Sequence, residues 1–481
     1  LENINKEENP GVIAILTPTL LSPTTKKLIE EFSSQYKNVR HVQLDPTSSH
    51  AILEANNLAF GVRALASYHF DKADVIVSFG ADFIANWGHP NNEGDYIKAR
   101  NPKLKKMSKH YQLESSLTLT GSNADERIQI KPSEQKGLLS NLYNSIRGKE
   151  SPNPIIAKIF KDLSTANKKS IILCNSKDVD VQILVNAINH ELENYDNTIS
   201  LTSPSYLKQG NDNEIASLIQ DMKDKKVAAL ITHNVNPSYT LRGSKDYNAG
   251  LKNVPLRVST SLYHDESASK MTYCIPDNHY LECWGDANPT HGFYTLMQPT
   301  ISPLFNGRQF QDSLLSWMTK KTEPHYASYY DYMKYNILTS KNPATEDTIA
   351  GLGLLDQKDW DSALHNGYFI TNEPKSITTE FLKSFGGEKA VKTFSYTKSK
   401  SLEFEMTEKI SMGDGNQSNN PWLQELPDPL SRACWDNYLT MSASTARDLG
   451  IENWNISNGA LNGSVVDITV NGFTHKKVPV M

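Results

Sequence analysis

The sequence predicts an α/β protein, built as two doubly wound α/β units followed by the beginning of a C-terminal β-barrel. Three observations carry that prediction. Short β-branched runs alternate with amphipathic stretches from residue 11 to about residue 260, a rhythm that suits a parallel sheet with helices on both faces. Most of the apolar runs stop at Gly, Pro or Asn, the residues that strand-end turns need. From about residue 401 the texture changes to short β-like pieces separated by Asn, Gly and Pro.

Each element follows in order. Residues 11–20, GVIAILTPTL, form an apolar strand closed by Thr-Pro; SPTTKKLIEEFSSQY (22–36) has helical spacing, and VRHVQLD (39–45) is the next strand. Residues 51–70 are helical in pattern, and ADVIVSFGAD (73–82) is a strand that ends in Gly80. Residues 115–135 supply two short strands, a helix follows at 136–147, and GKESPNP (148–154) reads as a linker. These pieces make a first unit over 1–150. The second unit, 151–330, has a helix at 154–166, a strand at 170–175, helices at 181–192 and 212–226, and strands at 227–237 and 254–260. Residues 331–400 are polar and Tyr-bearing, which predicts an insertion or covering segment rather than core. Residues 401–481 are the barrel beginning, with one helix at 443–450.

Bulk composition narrows the function. With 481 residues the chain is too long for one core, and a prior near ~150 residues per domain gives about three. A net charge of −5 leaves no basic footprint for nucleic acid. No run approaches the roughly 18–20 apolar residues that cross a bilayer, so a direct membrane span is not expected. The chain opens at Leu1 without a leader pattern, which reads as an internal piece of something longer. Cys174, Cys274, Cys283 and Cys434 form no C-x-x-C, so neither an iron–sulfur cluster nor a structural zinc is supported, while a disulfide stays open.

Several constellations could carry chemistry. SFGADFIANWG (78–88) closes a strand where open α/β sheets bind ligands, so Gly80, Asp82 and Asn86 could meet a nucleotide-like group. A glycine turn with a helix-capping Asp82 explains the same residues. ITHNVNP (231–237) ends the matching strand, with His233 read as a structural group and Asn236-Pro237 as a turn. His264, Asp265, Glu266, His279, Glu282 and His291 crowd a short stretch but match neither HExxH nor a facial triad. No catalytic residue and no metal ligand is therefore expected.

The segments around these turns resemble a known family. ADVIVSFGADFIANWG (73–88), NADERIQIKPSEQKGLL (123–139), VNPSYTL (235–241), the stretch 265–308 and LNGSVVDITVNG (461–472) resemble the scaffold of the molybdopterin oxidoreductase superfamily, the formate dehydrogenase/DMSO reductase-like type, with a Rossmann-like first unit. LTGSNADERI (119–128), HYLECWGD (279–286), QPTISPLFNGR (298–308), WDSALHNGYF (360–369) and NPWLQELPDP (420–429) are most similar to one branch. That branch is the molybdopterin-oxidoreductase-like half of the large iron–sulfur subunit of alternative complex III, a bacterial quinol:cytochrome c oxidoreductase. Where active members carry Asp-Pro-Arg, this chain has Glu114, Ser115 and Ser116. The resemblance then implies a fold retained without its cofactor. Gly80, Asp82, Asn86, Asn236, Glu282 and Gly285 would be vestiges of the pterin cleft, with Trp87, Tyr239 and Trp284 as candidates to fill it.

What the resemblance implies about function is a non-catalytic scaffold on the periplasmic side of a bacterial inner membrane. Its partners would be the other subunits of a respiratory complex, including cytochrome c and quinol-binding membrane subunits. Iron–sulfur clusters would belong only to the missing half. Two rivals stand beside it: an active core that binds molybdopterin guanine dinucleotide with molybdenum, and a two-lobed small-molecule binding protein.

Overall fold

The computed structural model describes residues 1–8, 10–85, 87–88, 91–104, 106–318, 326–338, 354–371, 391–455 and 461–481. It is an α/β protein. The chain packs as two compact units, Leu1–Ser67 with Ser200–Glu380 and Tyr68–Ile199 with Phe381–Met481. A boundary near residue 150 was expected, and the strand register explains why the division falls elsewhere. Ser170–Cys174 pairs in parallel with Val75–Phe79, from Val75↔Ser170 to Phe79↔Cys174, so it extends an existing sheet rather than opening a new one. Val12–Thr17 finds its partner in Val227–Thr232, far down the chain. The two units therefore alternate along the sequence, each built from two separate segments.

The first unit holds a parallel sheet in the spatial order Tyr273–Cys274, Leu256–Ser259, Val227–Thr232, Val12–Thr17, Val39–Gln43. Alternate residues of Val12–Thr17 feed two separate cores. Ile13 and Ile15 pack with Leu28, Ile29 and Phe32 of the helix Pro23–Ser34. Ala14 and Leu16 pack with Leu218 and Met222 of the helix Asp212–Lys223 and with Tyr247 and Leu251. Period-2 alternation with both faces covered is what turns such a strand into a near-continuous apolar run. Beside it lies a second sheet that includes the antiparallel hairpin Gly285–Thr290 and Phe293–Met297.

The second unit holds a four-stranded parallel sheet, in the order Glu126–Gln129, Lys109–Glu114, Val75–Phe79, Ser170–Cys174. Val75, Val77 and Phe79 face helices Gln135–Ile146, Pro154–Ala166 and Val179–Glu191. Ile76, Ile171 and Leu173 face Phe70, Phe83 and Tyr96 instead.

Four expectations need correction. The helical pattern over 51–70 ends at Phe60, where Gly61 takes φ 70 as the left-handed cap, and Leu65–Tyr68 is a strand. Within 115–135 one predicted strand is the short helix Leu119–Ser122, which Thr118 caps by accepting from the Gly121 N–H. The segment 331–400 does contribute core: Tyr332 and Trp360 are fully buried, joined by Tyr329, which opens the helix Tyr329–Ile337. In 401–481 the described residues form two separate two-stranded sheets, Asn453–Asn455 with Leu461–Gly463 and Val465–Val470 with Phe473–Pro479, where a barrel beginning was expected. Val465 and Phe473 of the second pair stay exposed.

Candidate functional site

In an open parallel sheet, ligands sit beyond the carboxyl ends of the strands where chain order reverses. In the second unit that point lies between Val75–Phe79 and Ser170–Cys174. Gly80 turns there with φ 72, and a Cβ on it would come within 2.8 Å of the Asn175 amide. The hollow that remains measures about 30 Å³ and is bordered by Gly80, Glu114, Ser115, Gln135, Asn175 and Glu405. That is room for water, whereas pockets for organic ligands run to roughly 300–1,000 Å³.

A strap of the chain's own residues, 391–406, runs along this unit and brings Glu405 to the edge of the crevice. Val391, Phe394 and Tyr396 pack on the helical core, and the Phe394 N–H donates to Ser140 Oγ at 2.7 Å. Lys131 Nζ donates to the carbonyls of Ser399 at 3.0 Å and Ser401 at 2.5 Å. Ser133 gives both its N–H (2.9 Å) and its hydroxyl (2.5 Å) to Glu403. Glu405 ends the strap at the crevice, accepting from Asn175 Nδ2 at 3.4 Å and from the Ser115 hydroxyl. Glu114 is buried beneath, held by Arg127 Nε at 2.6 Å, by the Thr118 hydroxyl at 2.7 Å and by Gln112 Nε2 at 3.0 Å. A buried carboxylate needs such a full set of donors.

The first unit also supplies its own anion. The helix Pro23–Ser34 follows Val12–Thr17, starts with Pro at its first position and is capped by Ser22, which accepts from the Thr25 N–H. Such an N-terminus favours negative charge. Here the occupant is Asp286, which accepts from Ser22 Oγ at 2.5 Å, Thr24 Oγ1 at 2.6 Å, the Thr24 N–H at 3.3 Å and Tyr329 OH at 3.3 Å. Burial raises the carboxyl above its ordinary range, and the four donors work against that rise.

A second polar pair lies at the strand ends of the same unit. His233 Nδ1 is 3.6 Å from Asp277 Oδ2 and 3.1 Å from Thr260 Oγ1, and the ring stacks on Phe310 at 4.1 Å. Desolvation pushes His233 down to about 3 and Asp277 up to about 7, so the imidazole is neutral at pH 7. The contact is a buried polar one rather than an ion pair. His233 serves structure, as its lone position at a strand end suggests.

The other sequence candidates serve separate turns. The Asp82 carboxylate accepts from the Thr120 N–H at 3.0 Å and hydroxyl at 2.7 Å, and burial raises its pKa. Asn86 lies outside the described residues. Asn236 donates to Glu266 at 2.6 Å and accepts from the Ser267 hydroxyl at 2.7 Å. Glu282 accepts from the N–H groups of His279 and Leu304, both at 2.9 Å; these bonds, that of Leu304 first, hold its carboxyl below the ordinary range. Gly285 opens the hairpin, where a Cβ would meet the Met297 side chain at 2.8 Å. Of the proposed fillers, Trp87 packs on Tyr68 and Trp284 on Tyr330, while Tyr239 stays half exposed. All four cysteines are free. Glu405, Asn175 and Asp286 escaped the sequence reading because nothing local links a residue to a partner hundreds of positions away.

Comparison with known proteins gives a partial relationship. No family model matches the chain. Over 105 residues, 21% of this chain and 15% of the relative, it is 30% identical to the menaquinone reductase, molybdopterin-binding-like subunit, of Nitratidesulfovibrio vulgaris. That likeness supports the superfamily resemblance. The matched stretch is a small part of the relative's length. Acetylene hydratase from Pelobacter acetylenicus aligns with TM-score 0.48 and 13% identity, covering 63% of this chain and 55% of that one. The formyltransferase/hydrolase complex from Methylorubrum extorquens aligns with TM-score 0.46 and 10% identity, covering 66% of this chain and 94% of that one. Likenesses that distant carry no chemistry.

Proposed function

We propose that this chain is a non-catalytic scaffold, derived from a molybdopterin oxidoreductase and holding no pterin of its own, within a quinone-linked respiratory complex. The observation that carries the reading is the strand-end crevice, which Glu405 of the strap 391–406 borders and which leaves about 30 Å³. A pterin dinucleotide is far larger, and its phosphates would meet the carboxylate of Glu405 there. The altered triplet Glu114, Ser115, Ser116 supports the same reading, since a buried Glu114 has replaced the family's arginine-bearing corner.

The menaquinone reductase relative supports membership of a multi-subunit assembly. The finer assignment is to the large iron–sulfur subunit of alternative complex III, facing the periplasm and packed against cytochrome c and quinol-binding membrane subunits. It rests on the motif resemblance at 119–128, 279–286, 298–308 and 420–429. The test is elemental and pterin analysis of the full-length protein purified with its partner subunits. Molybdenum and pterin well below one per chain are expected, and stoichiometric molybdenum would overturn the scaffold reading in favour of an active core.

A further inference from the structure

Outside that crevice, three residues of the second unit place metal-ligating atoms together. His69 and Asp71 flank the start of the short 3-10 turn Phe70–Lys72, and Asp95 stands in the helix Asn92–Ala99. One ligand atom from each lies within 4.8 Å of the other two, the sole such group of three among the described residues. The residues at 264–291 that looked crowded in sequence form no comparable group among those described.

The framework that carries them is fixed. The His69 N–H donates to the Thr198 carbonyl at 2.8 Å, and its own carbonyl accepts from the Lys72 N–H at 3.1 Å. Phe70 is fully buried and stacks on Phe83 at 4.4 Å, and Phe83 in turn meets Tyr96, the residue after Asp95, edge-on at 5.4 Å. The turn and the helix are thus joined through packed rings. Burial favours the neutral imidazole of His69, the form that offers a lone pair to a cation. A cation already sits at one edge: Lys98 Nζ is 2.7 Å from Asp95, on an exposed side chain that can swing away.

We propose that His69, Asp71 and Asp95 form a divalent metal site of the zinc class, one imidazole and two carboxylates with a coordination position left for water. One nitrogen and two oxygen donors with no thiolate suit Zn²⁺. Bonds near ~2.0 Å would set the ligand atoms roughly 3.3 Å apart, a modest closure that the exposed Asp71 can make by a rotamer change. The bound ion would clamp the turn to the helix and displace the Lys98 ammonium.

The test uses the full chain, stripped with chelator and titrated with Zn²⁺ by calorimetry, with Co²⁺ absorption as a second readout. One equivalent is expected, with tetrahedral Co²⁺ bands. His69→Ala, Asp71→Asn and Asp95→Asn should each weaken binding by at least about tenfold, with unchanged far-UV circular dichroism. Lys98→Ala should tighten it by removing the competing ammonium. Zn²⁺ affinity unchanged in both Asp71→Asn and His69→Ala, or Co²⁺ spectra that match those of a variant carrying His69→Ala, Asp71→Asn and Asp95→Asn together, would overturn the site. None of these outcomes bears on the pterin analysis, so the two proposals fail separately.

Discussion

At the scale of single residues, Asp286 is a heavily committed group. Removing its carboxylate leaves two hydroxyls, a phenol and a helix-terminal N–H without their acceptor in a buried place. Asp286→Ala should therefore destabilise the fold by about 2–4 kcal/mol, read as a lowered urea midpoint with unchanged slope. Asp277 and His233 make opposite contributions to the pH dependence of stability. Asp277, near 7 when folded, holds a proton that the unfolded chain releases at its lower ordinary pKa, so its contribution falls as pH rises toward 7. His233, near 3 when folded, refuses a proton that the unfolded chain takes up, so its contribution grows as pH rises from about 3 toward the ordinary imidazole value. Asp277→Asn should make stability climb more steeply between about pH 4 and 7, and His233→Gln should flatten or reverse the climb. Denaturation midpoints across that range check both signs.

At the scale of elements, the strap can be dislodged from beneath. Gly137 sits in the helix Gln135–Ile146, where an added Cβ would fall 2.6 Å from Tyr396 Cα. That is backbone, which cannot rotate away. Gly137→Ala should lift residues 394–406 and make them the first site of limited proteolysis, while the sheet behind stays protected. Much of this level was legible beforehand. The helices that start at Pro23 and Pro154 and the strand 75–79 follow from helical spacing, proline placement and a β-branched run. The core role of Tyr329, Tyr332 and Trp360 was hidden because their neighbourhood is polar, and only the fold brings a sheet beneath them. Gly80 was legible as a turn, but its partner Asn175 and the covering Glu405 come from later strands and loops that no local pattern joins to it.

At the scale of the whole chain, the alternation of the two units along the sequence separates two kinds of strand pairing. Val75–Phe79 has its sheet partners between residues 109 and 174, whereas Val12 pairs with Val227, about 215 positions away. Closing the longer loop costs more entropy, so the second unit's sheet should form first. Pulse-labelled hydrogen exchange during refolding should protect Val77 and Ile172 before Ile13 and Ile15; the reverse order would refute it. The contiguous division near residue 150 was plausible from the linker-like GKESPNP, yet strand order across a sheet is not written in any linker. The carboxylate of Glu405 has one more consequence. Tethered to the chain, it meets its donors as an intramolecular partner, so dialysis cannot wash it out and dilution does not weaken its hold. On the proposed scaffold reading, such a crevice would not wait for a delivered cofactor.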